Sequence, residues 1–469
     1  MASPREDRTL ALRLGGAVAL FLLLVGQAQV TVLDGSSMLA VAQSIVHHGS
    51  LNVAPGLGVP GDGGLFYSKY GLLLPLLSVI PVAIAQPIGA VTGRVDLLEA
   101  ALAASLMPVV AGALTAALHL LGRRLGARRA AAALVAAGTV LGTYLLPYGR
   151  DFFTEPLVAL GVVVMVERAL AGRERQAGVA LAFAILARPQ SAVFVPLLGA
   201  FLAARAGGDV TRPSLALRAI LRTAPPLAIA AALTVAYNVV RFGDPLEFGY
   251  KPPVDPGFTT PLLEGARGLL LSPEKSLVLF APALVLVPFA LAALWRVQRA
   301  TANLLVALFA ATFVLAATWH SWMGGWSWGP RLVIPGVAVL LVALGPWIGE
   351  HATRMRIAAA LFALGFFISL PGVLAPAGAQ LLHPDPHADG PQIVRQVREL
   401  PQLTRNSLHA ADDPQARRGD YRRYLAPWQA AIVRQIGSIG FPLALLGTIA
   451  LLGALWLVAR PLPAQLRGS

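Results

Sequence analysis

The chain has 469 residues, of which 56% are hydrophobic and only 13% charged, and its mean hydropathy is +0.68. Soluble domains carry about 25% charged residues, so a soluble globule is excluded, and the long Ala-, Leu- and Val-rich runs approach the ~20 residues that cross a bilayer. The net charge of +14 does not mark a nucleic-acid surface, because the arginines stand at the ends of apolar runs and form no single basic domain. Cysteine is absent, which removes disulfides, thiolate nucleophiles and zinc–thiolate sites.

Apolar residues 10 to 32 follow a charged start without a small-residue cleavage site, so they are expected to be a retained first helix. Arg5, Arg8 and Arg13 flank it and put the N-terminus in the cytoplasm by the positive-inside bias. Further apolar stretches fall near 97–121, 130–148, 156–170, 177–187, 191–204, 223–240, 277–294, 302–318, 332–348, 357–378 and 437–458. The expected fold is therefore an all-α polytopic cell-membrane protein of about twelve transmembrane helices. Basic clusters at Arg123 to Arg129, Arg168 to Arg175, Arg205 to Arg222, Arg296/Arg299, Arg354/Arg356 and Arg460/Arg467 then fall at every second junction, and both termini are cytoplasmic.

Residues 71–91 are also long and apolar enough to span, but counting them would reverse every downstream segment. They are read as a juxtamembrane or re-entrant piece broken by Pro75, Pro81 and Pro87. The outer face then carries the loops 33–96, 148–156, 241–276 and 319–331 and the polar segment 379–436. The last is expected to form short helices on the outer leaflet, and its eight arginines do not bar it from the outside, since long loops translocate largely regardless of charge. The inner turns are too short to carry function, so chemistry is expected on the extracytoplasmic side.

All three lysines, Lys69, Lys251 and Lys275, fall on that side, together with Asp34, Arg150, Asp151, Glu155, Arg188, Arg241 and Arg331. Ionisable groups this close to a membrane boundary are costly and mark functional cavities. Asp34, before Gly35-Ser36-Ser37, reads either as a helix N-cap or as a general base. Arg188 joins two half-length apolar segments and is hard to explain as an interfacial anchor, so it is a candidate phosphate contact, as are Lys69, Arg241 and Arg331. Lys251, Arg267 and Lys275 read as headgroup contacts, and His47-His48-Gly49 as a helix C-cap. Asp151 and Glu155 are four apart and share a helix face if the next span begins early. His320 beside Trp319, Trp322, Trp326 and Trp328 is placed to position an acceptor hydroxyl, and the indoles serve as an interfacial belt or as platforms for sugar rings.

The first helix, Asp34-Gly35, a helix ending in His48-Gly49, then Tyr67-Ser68-Lys69-Tyr70-Gly71 resembles the GT-C superfamily of polyprenyl-phosphate-sugar glycosyltransferases. These include protein O-mannosyltransferases, the aminoarabinose transferase of lipid A, and mycobacterial envelope mannosyl- and arabinofuranosyltransferases. Gly149 to Pro156, Ala187-Arg188-Pro189-Gln190, Tyr237 to Pro245 and Gly324 to Arg331 continue the resemblance in order, over roughly residues 10 to 350.

It implies a catalytic module at 1–240 and, after it, a variable membrane module at 241–378, to which hydropathy and charge add the extracytoplasmic segment 379–436 and a last helix with a cytoplasmic tail at 437–469. It also implies inverting transfer of one sugar from a polyprenyl-monophosphate donor to an envelope lipid, glycan or protein. Asp34 would be the base, with Glu155 and Asp151 in the site, Lys69, Arg188, Arg241 and Arg331 around the phosphate, and Tyr67, His320, Trp326 and Trp328 near sugar or acceptor. No cofactor is required, and Asp34, Asp151 and Glu155 are the set open to a divalent metal. Two alternatives stand beside this reading: a transporter or flippase of lipid-linked glycans, for which no internal repeat is found, and an oligosaccharyl transferase or ligase that uses a lipid pyrophosphate.

Overall fold

The structure is a computed structural model. It describes residues 4–374, except 27, 28, 31, 94, 207–212, 253, 254 and 326, together with 394, 397, 398 and 440–467. The expected surface helices of 379–436 therefore lie, but for three residues, outside the described residues, as does Trp326.

The described chain is helical. α1 (Pro4–Leu24) is followed by α2 (Leu33–His48), α3 (Leu73–Thr92), α4 (Val95–Ala104) and α5 (Leu106–Arg124). Then come α6 (Arg129–Leu141), α7 (Leu145–Tyr148), α8 (Glu155–Leu170), α9 (Glu174–Ala187), α10 (Phe194–Ala206) and α11 (Pro213–Phe242). The second half holds α12 (Leu262–Leu271), α13 (Leu277–Phe280), α14 (Val287–Val297), α15 (Arg299–Thr318), α16 (Ile334–Leu341), α17 (Leu344–Gly349), α18 (Ala352–Leu374), α19 (Gly440–Ala459) and α20 (Leu462–Arg467). Each expected apolar span meets a helix or a broken pair of helices. Among the described residues, six helices are long and apolar enough to cross a membrane. The first helix ends at Leu24 and not at residue 32, just before Gly26.

α1 and α5 pack closely. A Cβ on Gly15 would stand 2.4 Å from the Gly112 carbonyl oxygen, so the two backbones touch, as small residues permit where lipid offers no hydrophobic drive. At one end of this pair Asp7 accepts from Arg123 at 3.0 Å and from Arg129 at 2.8 Å. α8 runs through the centre with Leu157, Val162, Met165 and Val166 buried, packed on α5, α9 and α16. α6 meets α17 and α18, and α19 lies against α1.

The stretch 71–91 departs from its expected form. Its prolines do not break it: Pro81 and Pro87 lie inside a continuous α3, where packed neighbours stabilise the helix despite the lost bonds. α3 starts beside Ala187, the last residue of α9, and returns through α4, so the two form a hairpin that leaves the chain at the bundle end where it began. α3 is long enough to cross, yet α4 and α5 alone carry the chain to the Asp7 end. Glu99 of α4 ties the hairpin to α2 by accepting from Gln43 at 2.7 Å and pairing with His47 at 2.8 Å. Leu76, Ile80, Ile84 and Ile88 are exposed at helical spacing and make one apolar stripe along α3.

Replacing Gly15 by Val is expected to destabilise the purified protein by roughly 1–3 kcal/mol through overpacking. Gly199→Ala, with open space around its Cβ, should leave the thermal midpoint in detergent unchanged; equal midpoints for both variants would contradict the α1–α5 contact.

Candidate active site

The site forms at the end of the bundle opposite Asp7. α2 starts after Val32, an extended residue whose side chain makes no cap bond, so Asp34 lies in the first helical turn and is not the N-cap. There its carboxylate still favours the helix dipole. Arg331 donates to Asp34 Oδ2 at 3.0 Å and its Nε lies 3.7 Å from Glu155 Oε1. Arg188, in extended backbone just after α9, donates to the same Glu155 oxygen at 2.8 Å. Two carboxylates and two guanidiniums from four separate elements thus form one chain. Tyr70 adds a hydrogen bond to Asp34.

Burial alone would raise the Asp34 carboxyl, but the Arg331 charge, the Tyr70 hydroxyl and Arg188 outweigh it and hold Asp34 below the usual carboxylate range. Burial likewise opposes the Arg331 charge, and Asp34 and Glu155 more than restore it. The Asp34 side chain keeps 25% of its surface accessible, against 2% for Glu155. Of the two, Asp34 is therefore the more accessible carboxylate.

A small antiparallel hairpin, β1 (Val59–Pro60) with β2 (Phe66–Tyr67), delivers the next residues, pairing Val59 with Tyr67 and Pro60 with Phe66. A Cβ on Gly71 would stand 2.3 Å from the Ala187 carbonyl oxygen, so only glycine lets Lys69 and Tyr70 come this close to Arg188. The Lys69 ammonium bonds Asp255 and lies 5.0 Å from the Tyr250 ring centre, and His320 Nε2 is 3.4 Å from the other Asp255 oxygen. Lys69, Tyr70, Arg188, Gln190, Glu247, Tyr250, Phe258 and Trp319 line a cavity of about 460 Å3. Arg188, Gln190, Phe258 and Trp319 also border an apolar pocket continuing between α8, α10, α15 and α16, with Val158, Phe194, Leu315 and Leu332 in its wall.

Other expected site residues fall elsewhere. Arg241 is 2% exposed and donates to the carbonyls of Ser68, Tyr70 and Tyr237 and to Asn238 Oδ1, so its guanidinium clamps the 68–70 segment. Tyr67 is buried against Phe242 and Gly61, and it is Tyr70 that faces Asp34. Trp328 is 2% exposed, edge-on to Phe280 and against Gly372, within the core and away from the cavity. Asp151 lies before α8, so it shares no helix face with Glu155; it pairs with Arg150 at 3.7 Å, and burial pushes its carboxyl up to about 6 despite that charge. Lys275 is no headgroup contact: it is 3% exposed and bonds the carbonyls of Gly325, Ser327 and Gly329, in the loop that ends at Arg331.

Asp34, Asp151 and Glu155 do not fit a metal. Arg331 stands between Asp34 and Glu155, Asp151 faces Arg150, and among the described residues no three His, Asp or Glu side chains converge on a metal-ligand set. Sequence reasoning missed Tyr70, Asp255, Tyr250 and Glu247. Only Tyr70 had a signal, its place beside Lys69; Asp255 is a lone acid whose relation to Lys69 spans 186 positions.

The fold is similar to that of solved structures of an archaeal oligosaccharyltransferase and of ArnT. Archaeal oligosaccharyltransferase AglB from Archaeoglobus fulgidus, solved with an inhibitory peptide and a dolichol-phosphate, aligns over 89% of this chain and 60% of its own, with a TM-score of 0.50 and 13% identity. ArnT from Cupriavidus metallidurans, bound to undecaprenyl phosphate, aligns over 95% of this chain and 76% of its own, with a TM-score of 0.50 and 14% identity. This chain thus spans about 60% of the archaeal protein's length. No family model and no curated protein sequence matches it.

Arg241→Met should loosen the 68–70 segment at a cost of roughly 1.5–3 kcal/mol for the lost charged hydrogen bonds. Amide exchange over residues 66–71 is then expected to speed up about tenfold to a hundredfold; unchanged exchange there would show that Arg241 does not hold this segment.

Proposed function

We propose that this protein is an integral membrane glycosyltransferase that moves one sugar from a polyprenyl-monophosphate donor to an extracytoplasmic hydroxyl acceptor, an envelope lipid, glycan or protein, with inversion. The observation that carries this reading is the chain Asp34–Arg331–Glu155–Arg188, with Lys69 nearby, beside a cavity whose wall holds Lys69 and Arg188 and which runs into an apolar pocket between helices. Cations at the cavity suit a lipid phosphate, and the apolar pocket suits the start of its tail. The dolichol-phosphate and undecaprenyl phosphate named with the two solved structures support the same ligand class. The sparse arginines at this end, against the cluster at the Asp7 end, support an extracytoplasmic site with a cytoplasmic N-terminus.

In this reading the Asp34 carboxylate takes the proton of the acceptor hydroxyl as its oxygen attacks the anomeric carbon. The bond from that carbon to the phosphate oxygen breaks, and polyprenyl phosphate leaves with the electron pair. Lys69 and Arg188 stabilise the charge that grows on the departing oxygen, while Arg331 and Tyr70 keep Asp34 ionised and oriented. Aromatic faces of Tyr250 and Trp319 on the cavity wall receive the sugar, and His320 aligns the acceptor. Arg241 and Lys275 act by positioning the segments that carry Lys69 and Arg331. The donor is used as its phosphodiester, and no step runs through a metal.

The direct test is transfer of labelled sugar from a panel of synthetic polyprenyl-phosphate sugars into an envelope extract. Asp34→Asn should lower the rate by about 10²–10⁴-fold, the usual worth of a general base; a variant as active as its parent would remove Asp34 from the chemistry. The pH profile gives a second check. Because Asp34 is held below the usual carboxylate range, activity should persist as pH falls through that range, and Arg331→Met, which releases that hold, should move the acid limb to higher pH. A parental acid limb near 6 that vanishes in Asp151→Asn would instead assign the base to Asp151, the carboxyl that burial pushes to about 6.

A further inference from the structure

The cations of the site each hold a carboxylate of the protein, and two of them, Lys69 and Arg188, stand in the cavity wall. Lys69 holds Asp255, Arg188 holds Glu155, and Arg331 holds Asp34. Glu247, the acid on the wall, is itself paired with Lys251 at 3.2 Å. An anion that enters therefore meets attraction already shared with fixed negative groups. Three of these acids have other structural work in helices or short-range pairs. Asp255 differs in reaching Lys69 from a loop, across 186 positions of the chain.

That loop is fixed. The His320 backbone N–H donates to the Gly257 carbonyl at 2.9 Å, and Thr260 bonds both Thr318 and Trp319 through their carbonyls. His320 supports the second Asp255 oxygen at 3.4 Å. The carboxylate, with only 12% of its surface accessible, is thus held against an ammonium that lines the cavity.

We infer that Asp255 sets how much anionic charge this site accepts, matching it to a lipid monophosphate and against a lipid pyrophosphate. The inference rests on the proposed role of Lys69 at the donor phosphate. With Asp255 in place, a second phosphate adds charge at cations already shared with Asp255, Glu155 and Asp34, and those carboxylates repel it. Without Asp255, the Lys69 charge is released to the ligand, and the more highly charged ligand gains most.

The test measures binding of undecaprenyl phosphate and undecaprenyl pyrophosphate to the purified full chain in detergent, for the parent, Asp255→Asn, Asp255→Glu, Lys69→Met and the double variant Lys69→Met/Asp255→Asn. The parent should prefer the monophosphate. Asp255→Asn should tighten both ligands, by about tenfold for the pyrophosphate and less for the monophosphate, and so narrow the preference. Asp255→Glu should keep the parental ratio, which separates lost charge from a disturbed loop, and the double variant should lose the gain because it acts through Lys69. An unchanged ratio in Asp255→Asn, or weaker binding of both ligands while Asp255→Glu stays parental, would overturn the inference. If Lys69→Met bound both lipids as the parent does, the phosphate role of Lys69 itself would fall, a different outcome from the failure of Asp255.

Discussion

Arg331 lies between two carboxylates that belong to different helices, and the architecture of this end of the bundle follows from that constraint. Glu155 is almost fully buried and Asp34 partly so, and a carboxylate placed there needs a fixed counter-charge beside it. The planar guanidinium of Arg331 supplies it to both, and Arg188 completes the balance at Glu155. Removing one member would leave an uncompensated buried charge, which costs about 3–5 kcal/mol. The starts of α2 and α8, the end of α9 and the loop before α16 are thereby held in one place, although nothing in the chain order makes them neighbours.

The same kind of side chain does two different jobs around this centre. Arg331, Arg188 and Lys69 meet carboxylates and stay partly accessible, whereas Arg241 and Lys275 are buried and meet carbonyl oxygens. Carbonyl-bound cations organise backbone. Lys275 gathers three carbonyls of the glycine-rich loop that ends at Arg331, and Tyr148 donates to a fourth, that of Trp328, at 2.6 Å. Arg241 does the same for the segment between β2 and α3. The groups beside the cavity are accurate in position because the loops that carry them are pinned from behind.

Around this polar end the rest of the molecule solves a simpler problem, the packing of apolar helices. Gly15 against Gly112 allows α1 and α5 to approach to backbone contact, and α8 fills the centre with branched residues. The α3–α4 hairpin is the exception, apolar enough to cross and yet turned back by its partner. Its tie to α2 is a nearly inaccessible carboxylate, Glu99, that receives Gln43 and His47. The helix that carries Asp34 is therefore braced at both ends, by Arg331 at its start and by Glu99 near its finish.

Hydropathy and arginine placement were enough to determine from sequence that the chain is an all-α membrane protein, where its apolar helices lie and which polar residues gather at one end, because burial in lipid leaves few choices of residue. Asp34, Glu155, Arg188, Arg331 and Lys69 could be singled out for the same reason: a charge at a membrane boundary is too costly to be casual. Tertiary structure alone decided the partners. Tyr67 and Tyr70, or Trp328 and Trp319, are equivalent by type and neighbourhood, and only packing against Phe242 or Phe280 sends one of each pair into the core while the other lines the cavity. Asp255 meets Lys69 across 186 positions, and Lys275 meets Ser327 across 52. Contacts of that range depend on how helices cross, which local spacing does not encode.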